Sequence, residues 1–320
     1  MIGIIANHKS LGYLIFVGKR RLIGGIGARR RTATGVIVGA VAVLLIAWGC
    51  DSEPAPSGEV VAAGDIASCR TEGDEATAEL VEGIDGTVLA LGDEAYPRGT
   101  TANFEECYGP SWGRFKGRTK PVPGNHEYYT EGARGYFQYF GEAAGDPEGG
   151  YYSYELGSWH VVALNSNCEE VRCGPGSPQT RWLKEDLAAN DEARCTLAYM
   201  HHPRFSSGPH VRNPEVEAAF ELLERGGVDV VISAHDHIYE RLAPMRSNGA
   251  RDDRSGVRQF VVGTGGNGLY RIRAVHRNSE RRQTRVYGVL KLTLRPAAYS
   301  WEFVPASPTS FSDSGTSRCH

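Results

Sequence analysis

Thr87-Val-Leu-Ala-Leu-Gly-Asp-Glu-Ala-Tyr96 is a short apolar run that stops at a glycine and a carboxylate. A run of this length without polar alternation reads as a strand buried on both faces, as in a parallel sheet covered by helices. The pattern recurs along the chain. Val60–Ala63 runs into Gly64-Asp65, and Thr119–Val122 into Gly124-Asn-His-Glu127. Cys195–Met200 runs into His201-His-Pro203, and Val228–Ser233 into His235-Asp-His237. Trp159–Leu164 is a further apolar run. Helical spacing marks Asp74–Glu82. Ser177-Pro178 supplies an N-cap and a first-turn proline for a helix reaching Ala189, and Asn213-Pro214 opens another that Gly226-Gly227 stops. Gln259–Gly263 and Arg285–Val304 are strand-rich with few helix signals, which predicts a second, more antiparallel sheet. The expected class is α/β, with two sheets face to face and helices outside.

In open α/β sheets the carboxyl ends of the strands meet at one crevice. Five strand ends would therefore gather two aspartates, an asparagine and several histidines in one place. His235 and His237, two apart, point the same way if that segment stays extended. Carboxylates and imidazoles converging in a buried cleft are costly unless cations lie between them. Composition fits a globular chain, with 41% hydrophobic and 23% charged residues, and excludes disordered, collagenous and coiled-coil classes. Gly263-Thr-Gly-Gly266 lacks the lysine and following helix of a phosphate-cradling loop and reads as a loop near the cleft.

The ordered set Gly64-Asp65, Gly92-Asp93-x-x-Tyr96, Gly124-Asn125-His126-Glu127, His201-x-Pro203 and His235-x-His237-x-Tyr239-Glu240-Arg241 resembles the calcineurin-like metallophosphoesterases, and among them the purple acid phosphatase branch. The resemblance covers residues 59–305. It implies a four-layer αββα sandwich of two mixed sheets, with a dinuclear metal centre at one end. On this resemblance Asp65 ligates the first metal and Asp93 bridges both. Asn125, His201 and His235 hold the second, and His237 returns to the first. His201 rather than His202 matches the family's His-x-Pro histidine.

Many superfamily members carry a histidine two residues after the first aspartate, where this chain has Ala67. The purple branch has instead a tyrosine three residues after the bridging aspartate, and Tyr96 stands there. Phenolate is a hard anionic donor, so Fe(III) with divalent Zn, Mn or Fe is favoured, with dizinc and dimanganese as alternatives. Ala234 replaces the glycine usual before the first histidine of the last block.

The implied activity is hydrolysis of phosphomonoesters by in-line attack of metal-bound hydroxide, with His126 protonating the leaving oxygen. His202, Arg204 and His210 are candidate substrate contacts, and Arg241 is expected to anchor the Tyr239-Glu240-Arg241 turn. A phosphodiesterase, or a nucleotide or phospholipid hydrolase, would use the same centre. A surface lipoprotein that binds metal or phosphate without turnover is the alternative of another class. The expected partner is a small phosphate ester.

A net charge of −3 gives no sign of a nucleic-acid scaffold, but it hides an asymmetry. Seven of the 35 basic residues and none of the 38 acidic ones fall in residues 1–50. Basic clusters ending at Arg31 precede the apolar Gly35–Trp48, then Gly49-Cys50, which is the layout of an export signal. It resembles a bacterial lipoprotein signal with Cys50 as the lipidated residue. An uncleaved anchor over the uncharged residues 32–50 and ordinary secretion are the other readings. Each places the body outside the cytoplasm, the first two with membrane contact through the lipid or anchor. Residues 51–58 read as a linker and 306–320 as an irregular tail that Cys319 ties down. Without Cys50 the seven cysteines become six, enough for three disulfides in an oxidising compartment, with Cys168–Cys173 the expected pair.

Overall fold

The computed structural model describes residues 58–210 and 213–320. The stretch read as an export signal, Cys50 and nearly all of the segment read as a linker lie outside the described residues. The chain opens as β1 (Gly58–Ala63), α1 (Gly73–Glu82) and β2 (Thr87–Ala90). A short α2 (Thr101–Asn103) runs into a π-helical turn before β3 (Thr119–Pro121), and α3 (Arg134–Phe140) precedes the hairpin β4 (Tyr152–Leu156) and β5 (Trp159–Ala163). Then come α4 (Pro178–Ala189), β6 (Cys195–Tyr199), α5 (Glu217–Arg225) and β7 (Val230–Ser233). Six strands finish the chain: β8 (Tyr239–Leu242), β9 (Arg258–Val262), β10 (Ser279–Gln283), β11 (Gly288–Arg295), β12 (Ala298–Pro305) and β13 (Ser314–Arg318).

Two mixed sheets result, ordered β13-β12-β11-β1-β2-β3 and β10-β8-β9-β7-β6-β5-β4. The segments Gln259–Gly263 and Arg285–Val304, expected together in one more antiparallel sheet, divide between the two. Instead β9 inserts parallel beside β7, and β11 pairs antiparallel with β1. Burial explains the division: β9 is buried over its last four residues, as a central strand must be, whereas β11 alternates buried and half-buried positions over its second half.

Residues of β5, β6 and β7 serve two cores in turn. Val161, Leu197 and Ile232 belong to the core shared with the other sheet. Val162, Ala198 and Val231 pack with Leu183 and Leu187 of α4 and Phe220 and Leu223 of α5. This period of two leaves no polar face, which is why these strands read as continuous apolar runs.

Ser177 caps α4 by accepting the Thr180 N–H, with Pro178 in the first turn. Helix α5 starts at Glu217 rather than at Asn213, because the Asn213 side chain accepts the Glu215 N–H and forms a turn ahead of the helix. The tail is also more ordered than its composition implies. Residues 314–318 pair with β12, and Cys319 bonds to Cys195 at the start of β6. No residue of β13 is buried, so it carries no apolar pattern to read. Cys168 pairs with Cys173 and Cys69 with Cys107. Among the described residues no helix is long and apolar enough to cross a membrane.

His160 on β5 is buried, with both ring nitrogens 2.7 Å from carboxylate oxygens of Glu155 and Asp186. Burial alone would lower its pKa, but the hydrogen bonds to Asp186 and Glu155 outweigh it and raise the pKa above the ordinary 6.5. A raised folded pKa gives stability that is complete below about pH 6.5 and lost as pH rises through the folded value. His160→Gln should therefore flatten the fall in Tm between about pH 6 and 8 seen in the unaltered protein, as read by thermal unfolding across pH.

Candidate metal centre

Asp65, Asp93 and Asn125 follow β1, β2 and β3 of one sheet, while His201 and His235 follow β6 and β7 of the other. The carboxyl ends of the two sheets thus meet over one cleft. Asp65, Asp93 and His235 sit at φ of 58°, 52° and 67°, left-handed backbone that ordinary residues avoid at a cost of about 1–3 kcal/mol each. Neighbouring turns hold them there. Asp65 N–H donates to the Gly92 carbonyl and Ile66 N–H to the Asp93 carbonyl, while Ala234 N–H donates to the His201 carbonyl. The sheets approach so closely that a Cβ on Gly64 would lie 2.5 Å from the Ala234 methyl. Ala234 is accommodated because its opposite number is glycine.

The side chains form two groups that share Asp93. In the first, the Tyr96 hydroxyl oxygen lies 2.9 Å from Asp65 Oδ1, 3.0 Å from Asp93 Oδ2 and 3.1 Å from His237 Nε2. In the second, His201 Nε2 lies 3.2 Å from Asn125 Oδ1, 3.2 Å from His235 Nδ1 and 3.5 Å from Asp93 Oδ2. His201 Nδ1 is set against the Leu91 carbonyl and His237 Nδ1 against the Gly268 carbonyl, so each ring aims Nε2 inward. A backbone carbonyl behind an imidazole is the usual support of a metal-binding histidine.

These donors fit cations. One phenol proton cannot serve three acceptors, and Asp65 Oδ2 is buried without a hydrogen-bond partner. Burial opposes charge on both aspartates, yet His237 holds Asp65 below the usual carboxylate range, and His201 and His126 do the same for Asp93. His201 is carried up to about 9 and His237 also rises, because the carboxylates outweigh their burial. Burial, then the neighbouring His202 and His201, push His235 down to about 2. Burial and the two carboxylates raise Tyr96 well above 10, so its phenolate needs a strong cation beside it. The cluster therefore demands positive charge, and metal ions would displace the protons that otherwise supply it.

His126 lies between the rings of Tyr96 and Tyr129, at 4.4 and 4.7 Å, with Nδ1 on the Pro97 carbonyl and Nε2 3.8 Å from Asp93 Oδ2. A cavity of about 560 Å³ opens from Asn125 and His235, and His202, His210 and Tyr128 help to line it. Burial and His201 push His202 down to about 3, and its Nδ1 meets the Ser166 hydroxyl. Arg204, expected as a phosphate contact, is instead buried, pairs with Glu217 at 2.6 Å and packs on Phe205. Arg241 is an anchor: it pairs with Glu280 and Asp313 and covers Trp301.

Sequence reasoning gave Glu127 no role, yet its carboxylate accepts the N–H groups of Asp93 and Gly124 at 2.8 Å and of Ala95 at 3.3 Å. It also missed a sixth strand end. Asn165-Ser166-Asn167 follows β5 at the same edge, where Asn167 donates to the Pro123 carbonyl and Ser166 supports His202. The apolar run Trp159–Leu164 breaking into three polar residues was the available signal. Tyr270 stacks on His237 at 3.9 Å from a loop with no motif.

A family model described as Calcineurin-like phosphoesterase matches residues 59–239. Purple acid phosphatase 15 of Arabidopsis thaliana is 29% identical over an alignment of 246 positions that covers 66% of this chain and 45% of that protein. The chain thus spans about half the length of this curated relative. A purple acid phosphatase, PPD1, from yellow lupin (Lupinus luteus) seeds superposes with a TM-score of 0.65 at 19% identity, over 82% of this chain and 55% of that one. GAP50, the anchor in the inner membrane complex of Plasmodium, superposes at 0.62 with 13% identity, over 80% and 87%. At these identities both superpositions speak for the fold alone.

Glu127→Ala would strand three N–H groups around Asp93, a loss of about 3 kcal/mol or more, whereas Glu127→Gln keeps an acceptor and loses less. Urea unfolding of both variants checks that order.

Proposed function

The chain belongs to the calcineurin-like phosphoesterase family, and on that premise we propose that it is an exported dinuclear-metal phosphatase acting on phosphomonoesters. The observation that carries the reading is the pair of donor groups sharing one carboxylate, Asp93. A carboxylate suits a bridge because its two oxygens and its charge can be divided between two cations. Asp65, Asp93, Tyr96 and His237 would hold one ion; Asp93, Asn125, His201 and His235 the other. The phenol favours Fe(III) in the first site beside a divalent ion in the second. Bound there, the two ions would supply an activated water and a clamp on the phosphoryl oxygens.

The remaining work falls to the protein. Asn125 and His235 open onto the cavity, so the ester sits on the side of the second group. His126, fixed at Nδ1 by the Pro97 carbonyl and wedged between two tyrosines, turns Nε2 toward the centre and can protonate a leaving oxygen. His202, neutral and partnered by Ser166, walls the cavity. Export rests on the basic and apolar N-terminal pattern together with the pairing of all six cysteines other than Cys50. The lipoprotein signal at Cys50 would then tether the phosphatase at the membrane.

The metal-loaded protein should hydrolyse p-nitrophenyl phosphate, and Asp93→Asn should lower the rate by about 100-fold or more with loss of metal. Full activity in that variant overturns the reading. A visible absorption band lost in Tyr96→Phe identifies Fe(III) in the first site, while a colourless active enzyme removes iron alone. His126→Ala should cost alkyl phosphates at least about tenfold more than p-nitrophenyl phosphate, because a good leaving group needs little protonation. Equal losses remove the general-acid role.

A further inference from the structure

Asp236 stands between two histidines of the centre, yet its carboxylate serves a third. Its side chain is fully buried, and Oδ1 accepts two hydrogen bonds from His210, from the backbone N–H at 3.2 Å and from ring Nδ1 at 2.9 Å. His210 is about half exposed, lines the cavity and lies 4.3 Å, ring to ring, from His235. With Nδ1 committed to Asp236, Nε2 is the polar edge left to meet a ligand. The contact is built into the packing. A Cβ on Gly208 would lie 2.3–2.5 Å from the Asp236 carboxyl atoms, so the loop passes this close only with glycine there.

His210 is one of three cavity-lining or cleft-facing histidines outside the proposed ligand set, and all three are fixed the same way. Nδ1 of His126 meets the Pro97 carbonyl, Nδ1 of His202 the Ser166 hydroxyl, and Nδ1 of His210 the Asp236 carboxylate. Each is held by one nitrogen and offers the other. Asp236 supplies the strongest of these supports to the most exposed ring, since hydrogen bonds to an ionised acceptor are about twice as strong as neutral ones. A half-exposed imidazole would otherwise sample several rotamers.

We propose that Asp236 is a positioning residue that acts through His210, holding the ring so that Nε2 meets the phosphoryl group of the bound ester. The inference rests on the phosphatase reading above, and its test separates the two. On the zinc-loaded full chain, Asp236→Ala and His210→Gln should each raise KM, and the inhibition constant of orthophosphate, by about fivefold while kcat stays within about threefold. The double variant should be no worse than His210→Gln. Asp236→Asn, whose Oδ1 can still accept the ring N–H, should return KM to within about twofold of the unaltered protein.

Additive losses, or an Asn variant as poor as the Ala variant, overturn positioning by Asp236. Gly208→Ala displaces the carboxylate without removing it and should give the same KM rise, which covers the case of an Asp236 variant that does not fold. Ring 15N shifts of labelled histidine supply a readout independent of turnover: the proton of His210 belongs on Nδ1, and a bare Nδ1 sinks the proposal. If the unaltered protein turns over no phosphate ester, the phosphatase reading fails, while the orthophosphate affinities and the 15N shifts still judge Asp236.

Discussion

The carboxylate of Asp93 is the point on which the rest of the structure depends. It lies at the meeting edge of two sheets, buried, and within reach of Tyr96 from its own loop, His201 from the other sheet and the His126 N–H. An ionised group in that position is tolerable only with opposite charge around it. In the absence of metal, His201 and His237 supply that charge as protons. The same arrangement makes the site a receptor for cations.

Keeping Asp93 there requires a second layer that does not touch the reacting centre. Its backbone is left-handed, and Glu127 beneath it gathers the N–H groups of Asp93, Gly124 and Ala95. Burial and the Asp93 charge push Glu127 up to about 7, and the hydrogen bonds from Gly124 and Ala95 work against that rise. The strand-end turns are therefore held by a buried carboxyl group at some electrostatic cost. The close approach of Gly64 and Ala234 brings the two sheets near enough for His201 and Asp93 to meet.

What could be read in the chain, and what could not, follows from the range of the forces involved. Strands buried on both faces carry continuous apolar runs, so β1, β2, β6 and β7 announced themselves, and so did the polar residues at their ends. Tyr96 was legible because its spacing from Asp93 is local. Glu127 and Asp236 lie inside the motifs with no role legible there, because each acts through contacts with residues far away in the sequence or around a tight turn. The fate of Arg204 was equally hidden: only the folded chain brings Glu217 to its guanidinium and turns it from the cavity. β13 pairs with β12 but buries none of its own residues, so it left no apolar pattern to read.

The three histidines anchored by Nδ1 show how one residue type can be given different duties by what stands behind it. A backbone carbonyl behind His126 fixes orientation without adding charge, and the flanking tyrosines restrict the ring further. The Ser166 hydroxyl behind His202 also donates no charge, and this ring, buried beside His201, is held neutral. Only His210, at the open side of the cavity, has a buried carboxylate behind it. That ring is the most exposed of the three, so packing restrains it least and its orientation depends most on the hydrogen bond. Among these three rings, the one support that carries charge stands behind the most exposed.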